Sequence, residues 1–277
     1  MHNINIKYIG DSLPDGKFNL HSKFNRIVNF INDKNEIVAI SENEEFLSPN
    51  TIIIKDDDFS TIKNLKISDN KIYIDNQFVL LEKCSVYKSR ICCNEVSEKE
   101  LPLNISHFIE NYVKYFNQKS LGFLIDNNRE KFFSSSFEKA YVKHLKYAYS
   151  ELINRNYLSG IKRFKGSGFG LTPSGDDFIA GVLLALLVNQ SIYNKDLKTL
   201  RESIKDIAIG NNPISNALIN NSYKGALYLG FKNFQNAFLF NYSEIETALQ
   251  QLIAIGETSG SDILTGYILT LKHKFGI

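Results

Sequence analysis

The stretch Gly166-Ser167-Gly168-Phe169-Gly170-Leu171-Thr172-Pro173-Ser174-Gly175-Asp176-Asp177 runs directly into the apolar segment Phe178 to Val188. Alternating glycines permit positive φ and a close approach of backbone to ligand. They end where a helix begins, and a helix start presents unpaired N–H groups and the positive end of a dipole. An anionic small molecule suits such a place. The segment that follows is apolar nearly all round, so it predicts a helix at the centre of a helical domain. It is about half of the roughly 20 residues that span a bilayer, which points to a buried helix of a soluble protein.

A second copy stands near the C-terminus: Gly256-Glu257-Thr258-Ser259-Gly260-Ser261-Asp262, then Ile263-Leu264-Thr265-Gly266. With Ser174 aligned on Ser259, both copies read Ser-Gly-x-Asp-x-x-x-Gly. If the two apolar helices pack side by side, their starts converge on one pocket. Asp176 or Asp177 would then pair with Asp262. Such a pair suits a divalent cation, Mg or Mn, held partly through water, or acid–base work with separated pKa values. The plainer alternative is a helix duplication kept for packing, with Gly181 and Gly266 allowing close contact. Ser, Thr and Asp are also ordinary capping residues, with Thr172 as N-cap and Pro173 in the first turn. One cap needs one side chain, however, and this segment supplies four polar ones.

Composition narrows the partners. The net charge of +2 gives no electrostatic support for nucleic-acid or membrane-surface binding. Residues 1–20 lack a basic start followed by an apolar core, so no signal peptide is read. The three cysteines, Cys84, Cys92 and Cys93, lack both a disulfide framework and zinc-site spacing. They read as small packing residues of a reduced, cytoplasmic protein.

The fold class read from the pattern is α+β: an N-terminal antiparallel β-barrel or sandwich over 1–100, followed by an all-α domain over 101–277. The boundary falls near residues 94–104. Ile4 to Ile9, Phe24 to Ile31, Glu36 to Ile40, Thr51 to Ile54, Lys71 to Ile74 and Phe78 to Leu81 read as short strands. Polar turns at Asn32 to Asn35 and Asp75 to Gln77 mark hairpins. Helical spacing links Ile105 to Phe116, Phe137 to Leu152 (Tyr141 and His144 included) and Leu197 to Ile207. Ser243 and Glu246 form a capping-box pattern before another helix that Gly256 ends. The last helix spans roughly Asp262 to Lys272.

The candidate binding groups are Gly166, Gly168, Gly170, Thr172, Ser174, Gly175, Thr258, Ser259 and Gly260. To these are added Ser215, in the helix start Asn211-Asn212-Pro213-Ile214-Ser215, and His21, read as opening a strand from which it reaches across. Asp176, Asp177 and Asp262 are the candidate catalytic or metal-holding groups. Lys162, Arg163 and Lys165 read as a solvated helix end, and His144 as a core residue. The glycine loop is neither a Walker loop nor a dinucleotide fingerprint. No Gly-x-Ser-x-Gly elbow or zinc-hydrolase histidine pair occurs.

Leu-Thr-Pro-Ser-Gly-Asp-Asp followed by the apolar helix with Gly181 resembles a bacterial domain-of-unknown-function family that includes AllH-type subunits of oxamate carbamoyltransferase. His21-Ser22-x-Phe24 with Val28-Asn29-Phe30, Ser48-Pro49-Asn50, Ile214-Ser215 and Thr258-Ser259-Gly260-x-Asp262 are similar to its other motifs. The chain departs from the pattern at Asn211-Asn212-Pro213. The resemblance implies a carbamoyltransferase-type subunit of anaerobic allantoin breakdown, with other enzyme subunits as partners. It also implies a small anionic substrate such as carbamoyl phosphate or oxamate. Two other function classes stay open: a metal-dependent hydrolase or phosphotransfer enzyme, and a non-catalytic ligand-binding or scaffold subunit.

Overall fold

The computed structural model describes residues 4–55, 59–69, 71–79, 81, 84–90, 96, 98–168 and 170–277. Cys92, Cys93, Leu80 and Phe169 lie outside the described residues. The chain forms two compact units: residues 1–90 with 226–232, and residues 91–225 with 233–277.

The first unit is a curled mixed sheet, a half-barrel. Its strands are β1 (Ile6–Gly10), β2 (Gly16–Lys23), β3 (Val28–Ile31), β4 (Ile37–Ser41), β5 (Thr51–Ile54), β6 (Asn64–Ser68), β7 (Lys71–Ile74), β8 (Gln77–Val79) and β9 (Ser85–Tyr87). They lie in the order β8-β7-β6-β2-β3-β4-β5-β1-β9. All pairings are antiparallel except β4 with β5 and β1 with β9. Alternation explains the core. Phe18, Val28, Phe30, Val38, Ile40, Ile52, Ile54, Leu65 and Ile67 share one buried cluster, while Ile53 points to the other face and packs with Leu47 and Tyr87. Both faces of β5 are therefore covered, which is why Thr51–Ile54 is apolar without a break.

The turns follow their chemistry. Asp75 and Asn76 both have positive φ, as a two-residue hairpin between β7 and β8 requires. Asn32 Oδ1 accepts from Lys34 N and Glu36 N to close the β3–β4 turn. Strands β2, β6 and β9 have no counterpart in the sequence reading; β2 buries only Phe18 completely, so its apolar signal is thin. The expected strand from Phe24 starts only at Val28, because Phe24 N bonds Ile27 O in a turn. His21 consequently sits in β2 rather than at the opening of β3.

The second unit is helical: α1 (Leu101–Tyr112), α2 (Ser136–Ile153), α3 (Tyr157–Phe164), α4 (Ser174–Ile192), α5 (Lys198–Ala208), α6 (Pro213–Tyr223), α8 (Ile245–Ile253) and α9 (Ser259–Lys272). Helix α7 (Leu229–Phe240) has residues in both units. The apolar segment behaves as expected: α4 is buried from Ser174 through Leu186, and α9 from Gly260 through Leu271. Helix α4 is long and apolar enough to cross a bilayer by length and composition, but most of that span is buried inside the fold. The two helices touch at glycines. A Cβ on Gly181 would stand 2.0 Å from Ile263 O, and one on Gly266 would stand 2.1 Å from Phe178 O.

Two helix details differ from the sequence pattern. Helix α8 follows Glu244 with no side-chain cap, and Ser243 Oγ instead donates to Asn241 Oδ1, so the Ser243–Glu246 capping box does not form. The box is found at α2, where Ser135 and Glu138 cap each other. His144 is exposed and bonds Arg163 O, and Phe137 is exposed too. The buried stripe of α2 is Val142, Leu145, Ala148 and Leu152, which leaves both outside it.

Candidate functional site

The repeated motif folds the same way twice. Gly175, near the start of α4, abuts Phe164 O at the end of α3, and a Cβ there would lie 1.8 Å from that oxygen. Gly260, its aligned partner in α9, abuts Leu252 O near the end of α8 in the same way. Each copy is thus a helix, a loop and a second helix seated tightly on the first. Because Gly181 meets Ile263 while Gly266 meets Phe178, the two copies are related by an approximate two-fold exchange.

The aspartates obey that exchange. The Ser259 side chain favours the ionised form of Asp177, and that of Ser174 the ionised form of Asp262. Asp177 and Asp262 occupy equivalent places in the two motifs, as do Ser174 and Ser259. Each helix therefore sets a serine beside the other's carboxyl group. Thr172 Oγ1 donates to Asp177 Oδ2 at 3.2 Å and lies 3.3 Å from Ser259 Oγ. On the other side, Asp262 Oδ1 accepts from Leu121 N at 2.6 Å, and Asp262 N bonds Thr258 O.

Asp177 and Asp262 are 1% and 0% exposed. Neither takes part in an ion pair among the described residues. Asp177 Oδ1 and Asp262 Oδ2 have no hydrogen-bond partner. Burial raises both pKa values because the charged form loses its solvation. Asp262 is pushed up to about 7, restrained by Leu121 N, Ser174 and Thr258. Asp177 rises well above the usual carboxylate range, first through burial and then through the Asp262 charge. The pair is asymmetric: Asp262 has a backbone donor in Leu121 N, whereas the Asp262 charge further opposes ionisation of Asp177.

Asp176 takes a different part. Its Oδ1 accepts from Gly166 N at 2.7 Å and ties the glycine loop to the first turn of α4. Gly175 N bonds Ser167 O at 2.8 Å, and Ser167 N bonds Phe164 O. The amides of Gly166 and Gly175 are thus engaged within the loop. Gly166, at φ 67°, has open space where a Cβ would be, whereas Gly168, at φ 114°, packs on Ser174. Asp176→Ala is expected to cost about 1 kcal/mol, the usual net contribution of one hydrogen bond. It should speed proteolytic cleavage within 166–172 while leaving the Asp177–Asp262 pair in place; unchanged cleavage would show that the loop does not need this bond.

Thr172 is not the N-cap expected of it. The helix begins one residue later, after Pro173, with no side-chain cap, which frees the Thr172 hydroxyl for Asp177. Asn212 caps α6, accepting from Ile214 N and Ser215 N, and its Nδ2 donates to Leu171 O. That bond joins the third helix start to the glycine loop. Ser215 is buried, and its Oγ has no partner. Of the upstream cations, Arg163 stacks over Tyr147 and Lys165 Nζ donates to Ile209 O. His21 belongs to the first unit, on an exposed part of β2. Cys84 is a free, half-buried thiol. Among the described residues no group of three or more His, Cys, Asp or Glu side chains comes together to hold a metal ion.

Two contributors escape a reading of the motifs. Tyr141, from α2, is part of this environment: burial and the neighbouring Asp262 raise its hydroxyl pKa, and Ser174 opposes the rise. Leu121 acts through its backbone N–H alone. Tyr141 stands on a helical apolar stripe, where nothing in sequence separates a packing ring from a hydroxyl in use; a backbone donor carries no sequence signal at all.

These features define an α+β chain whose helical unit holds a buried carboxyl pair between two duplicated helix starts. Two family models match: that of the oxamate carbamoyltransferase subunit AllH over residues 164–271, and that of the AllH family N-terminal domain over residues 4–92. The chain belongs to the AllH family. No curated protein and no solved structure matches it.

Proposed function

We propose that the chain is a carbamoyltransferase-type subunit of allantoin nitrogen breakdown, and that its Asp177–Asp262 pair performs acid–base work on a small anionic substrate such as carbamoyl phosphate or oxamate. The observation that carries this reading is the reciprocal arrangement Asp177–Ser259 and Asp262–Ser174 around two buried, unpaired carboxyl groups. Environments that push two carboxyl pKa values apart divide the roles of base and acid.

In carbamoyl transfer a nitrogen attacks the carbamoyl carbon. The new N–C bond forms, the C–O bond to phosphate breaks, and the nitrogen gives up a proton. Asp262, the group that ionises near neutrality, takes that proton; Asp177, in its protonated form, donates a hydrogen bond to the negative charge developing on the leaving phosphate oxygen. The amides of Gly168, Gly170 and Thr172, with the Ser215 hydroxyl, hold the anionic end. Thr258, Ser259 and Gly260 complete the second half of the site. The division of labour places this chemistry in the helical region 101–277 and leaves the β-rich region 1–100 for substrate or subunit contacts. As one subunit of a carbamoyltransferase, the chain works with other enzyme subunits.

Purified chain, alone and mixed with the subunits encoded beside it, should release phosphate from carbamoyl phosphate in the presence of oxamate. No turnover in any combination, together with no binding of carbamoyl phosphate by calorimetry, would overturn the reading. Turnover that needs added Mg or Mn would favour the second reading, in which the unpartnered oxygens Asp177 Oδ1 and Asp262 Oδ2 hold a divalent cation for hydrolysis or phosphotransfer.

A further inference from the structure

The exchange between the two Ser-Gly-x-Asp motifs fails at two places. Glu257 stands where the first copy has Thr172, and Ser261 where it has Asp176. In the first copy Thr172 Oγ1 donates to Asp177, and Asp176 ties its own glycine loop. An ionised glutamate only accepts, and Glu257 is exposed. Ser261 turns to a segment outside the motif: its Oγ donates to Asn117 Oδ1 at 2.7 Å and accepts from Asn117 N at 3.0 Å. Four residues on, Leu121 N donates to Asp262 Oδ1 at 2.6 Å. Residues 117–121 thus bring to the second motif a donor that its own loop does not supply.

Little regular structure holds that segment. It consists of two short 3-10 turns, Val113–Tyr115 and Leu121–Leu124, and the residues between them. Arg129 gathers it from the inside. The side chain is 5% exposed. Nη1 donates to Val113 O at 3.2 Å, and Nη2 donates to Phe116 O at 2.6 Å and to Asn117 O at 2.8 Å. Ser120 Oγ reaches the same Asn117 O at 2.6 Å. Arg129 takes part in no ion pair among the described residues, so its buried charge is directed at carbonyl dipoles. Its Nε has no hydrogen-bond partner, and a Cβ on Gly122 would come within 2.9 Å of it. A buried cation is costly to hold. The planar fork of arginine serves carbonyls in several directions from one fixed plane, which the point charge of lysine does not.

We infer that Arg129 is a positioning residue of the carboxyl pair: by gathering the carbonyls of Val113, Phe116 and Asn117 it fixes the segment whose Leu121 N–H meets Asp262. Arg129 touches neither aspartate in this scheme and acts through the backbone it holds. The consequence for turnover rests on the acid–base reading above, in which Asp262 carries a proton. The placement of the N–H group rests on the geometry alone.

The test is amide hydrogen exchange of the full chain, read residue by residue by NMR, with a urea midpoint for each protein. In Arg129→Lys the Leu121 N–H should exchange about tenfold faster, as loss of one hydrogen bond implies. Amides in the middle of α4 should change only as far as the midpoint does, because they report global opening. Gly122→Ala keeps the cation but drives a methyl group against Nε, and should give the same local pattern. If Arg129→Lys fails to fold, Gly122→Ala decides. Turnover should fall through kcat while KM holds. Unchanged Leu121 exchange in the variants that fold, or an acceleration no larger than that of α4, would overturn the inference. Faster Leu121 exchange with undiminished turnover would uphold the role of Arg129 and count against Asp262 as a proton carrier, so the two readings fail separately.

Discussion

Gly181→Ala should lower the free energy of unfolding by about 3 kcal/mol, at the upper end of overpacking costs. The substituted Cβ would sit 2.0 Å from Ile263 O and 2.8 Å from Tyr267 N. A carbon and a carbonyl oxygen approach to about 3.3 Å at closest, so α4 and α9 must part by more than an ångström along their whole contact. Alanine's better helix propensity returns only about 1 kcal/mol. Gly266→Ala meets Phe178 O in the mirrored position and should cost about as much. The double variant is the sharper measurement. Once the first methyl group has separated the helices, the second enters space already opened, so the pair should cost at least about 1 kcal/mol less than the two costs added together. Urea midpoints of the four proteins decide it. Strict additivity would mean that the two glycines do not share one contact, and a neutral Gly181→Ala would mean that the helices are not closely seated.

That contact shows what sequence could and could not say. The Ser-Gly-x-Asp-x-x-x-Gly repeat was legible because glycine at two fixed offsets has few uses in an apolar helix, and close backbone approach is one of them. The α+β class, the hairpin turns at Asn32 and Asp75 and the central place of α4 were legible for the same reason: each rests on short-range chemistry. What was not legible depended on the third dimension. Which of Asp176 and Asp177 turns toward Asp262 is decided by helix rotation and by Gly166 N, which takes Asp176 for the loop. The strand β9 runs parallel to β1 at a sheet edge, over only three residues, too short for a periodic signal. His144 and Phe137 were misplaced because the core-facing stripe of α2 is narrower than the run of large residues along it.

Asp177→Asn should leave the protein as stable as the parent at pH 8, or more stable, while cutting turnover roughly 10²–10⁴-fold, the range for loss of a general acid or base. The sign follows from where the protons are. An aspartate in the unfolded chain ionises near pH 3.9. Asp262 in the folded chain ionises at about 7, and Asp177 is also raised well above the usual carboxylate range. Below about pH 4 the folded and unfolded forms are both protonated, and the pair costs nothing. As pH rises from there, the unfolded chain gives up protons that the folded chain keeps, so stability falls. Each group lowers it by about 1.4 kcal/mol per pH unit until its folded form ionises too. For Asp262 the loss accumulates to a few kcal/mol and levels off above about pH 7; Asp177 adds a decline of the same sign. Asparagine cannot ionise, keeps an oxygen to accept from Thr172, and removes the second ionisation, which burial and the Asp262 charge both oppose. The substitution should therefore flatten the fall in stability between pH 5 and 8 as read by urea midpoints. A parent protein whose stability rises across that interval would refute the buried, protonated pair itself. A flattened profile with undiminished turnover would keep the pair as a structural clasp and remove it from the chemistry, because the same two carboxyl groups cannot be both idle in the reaction and its proton carriers.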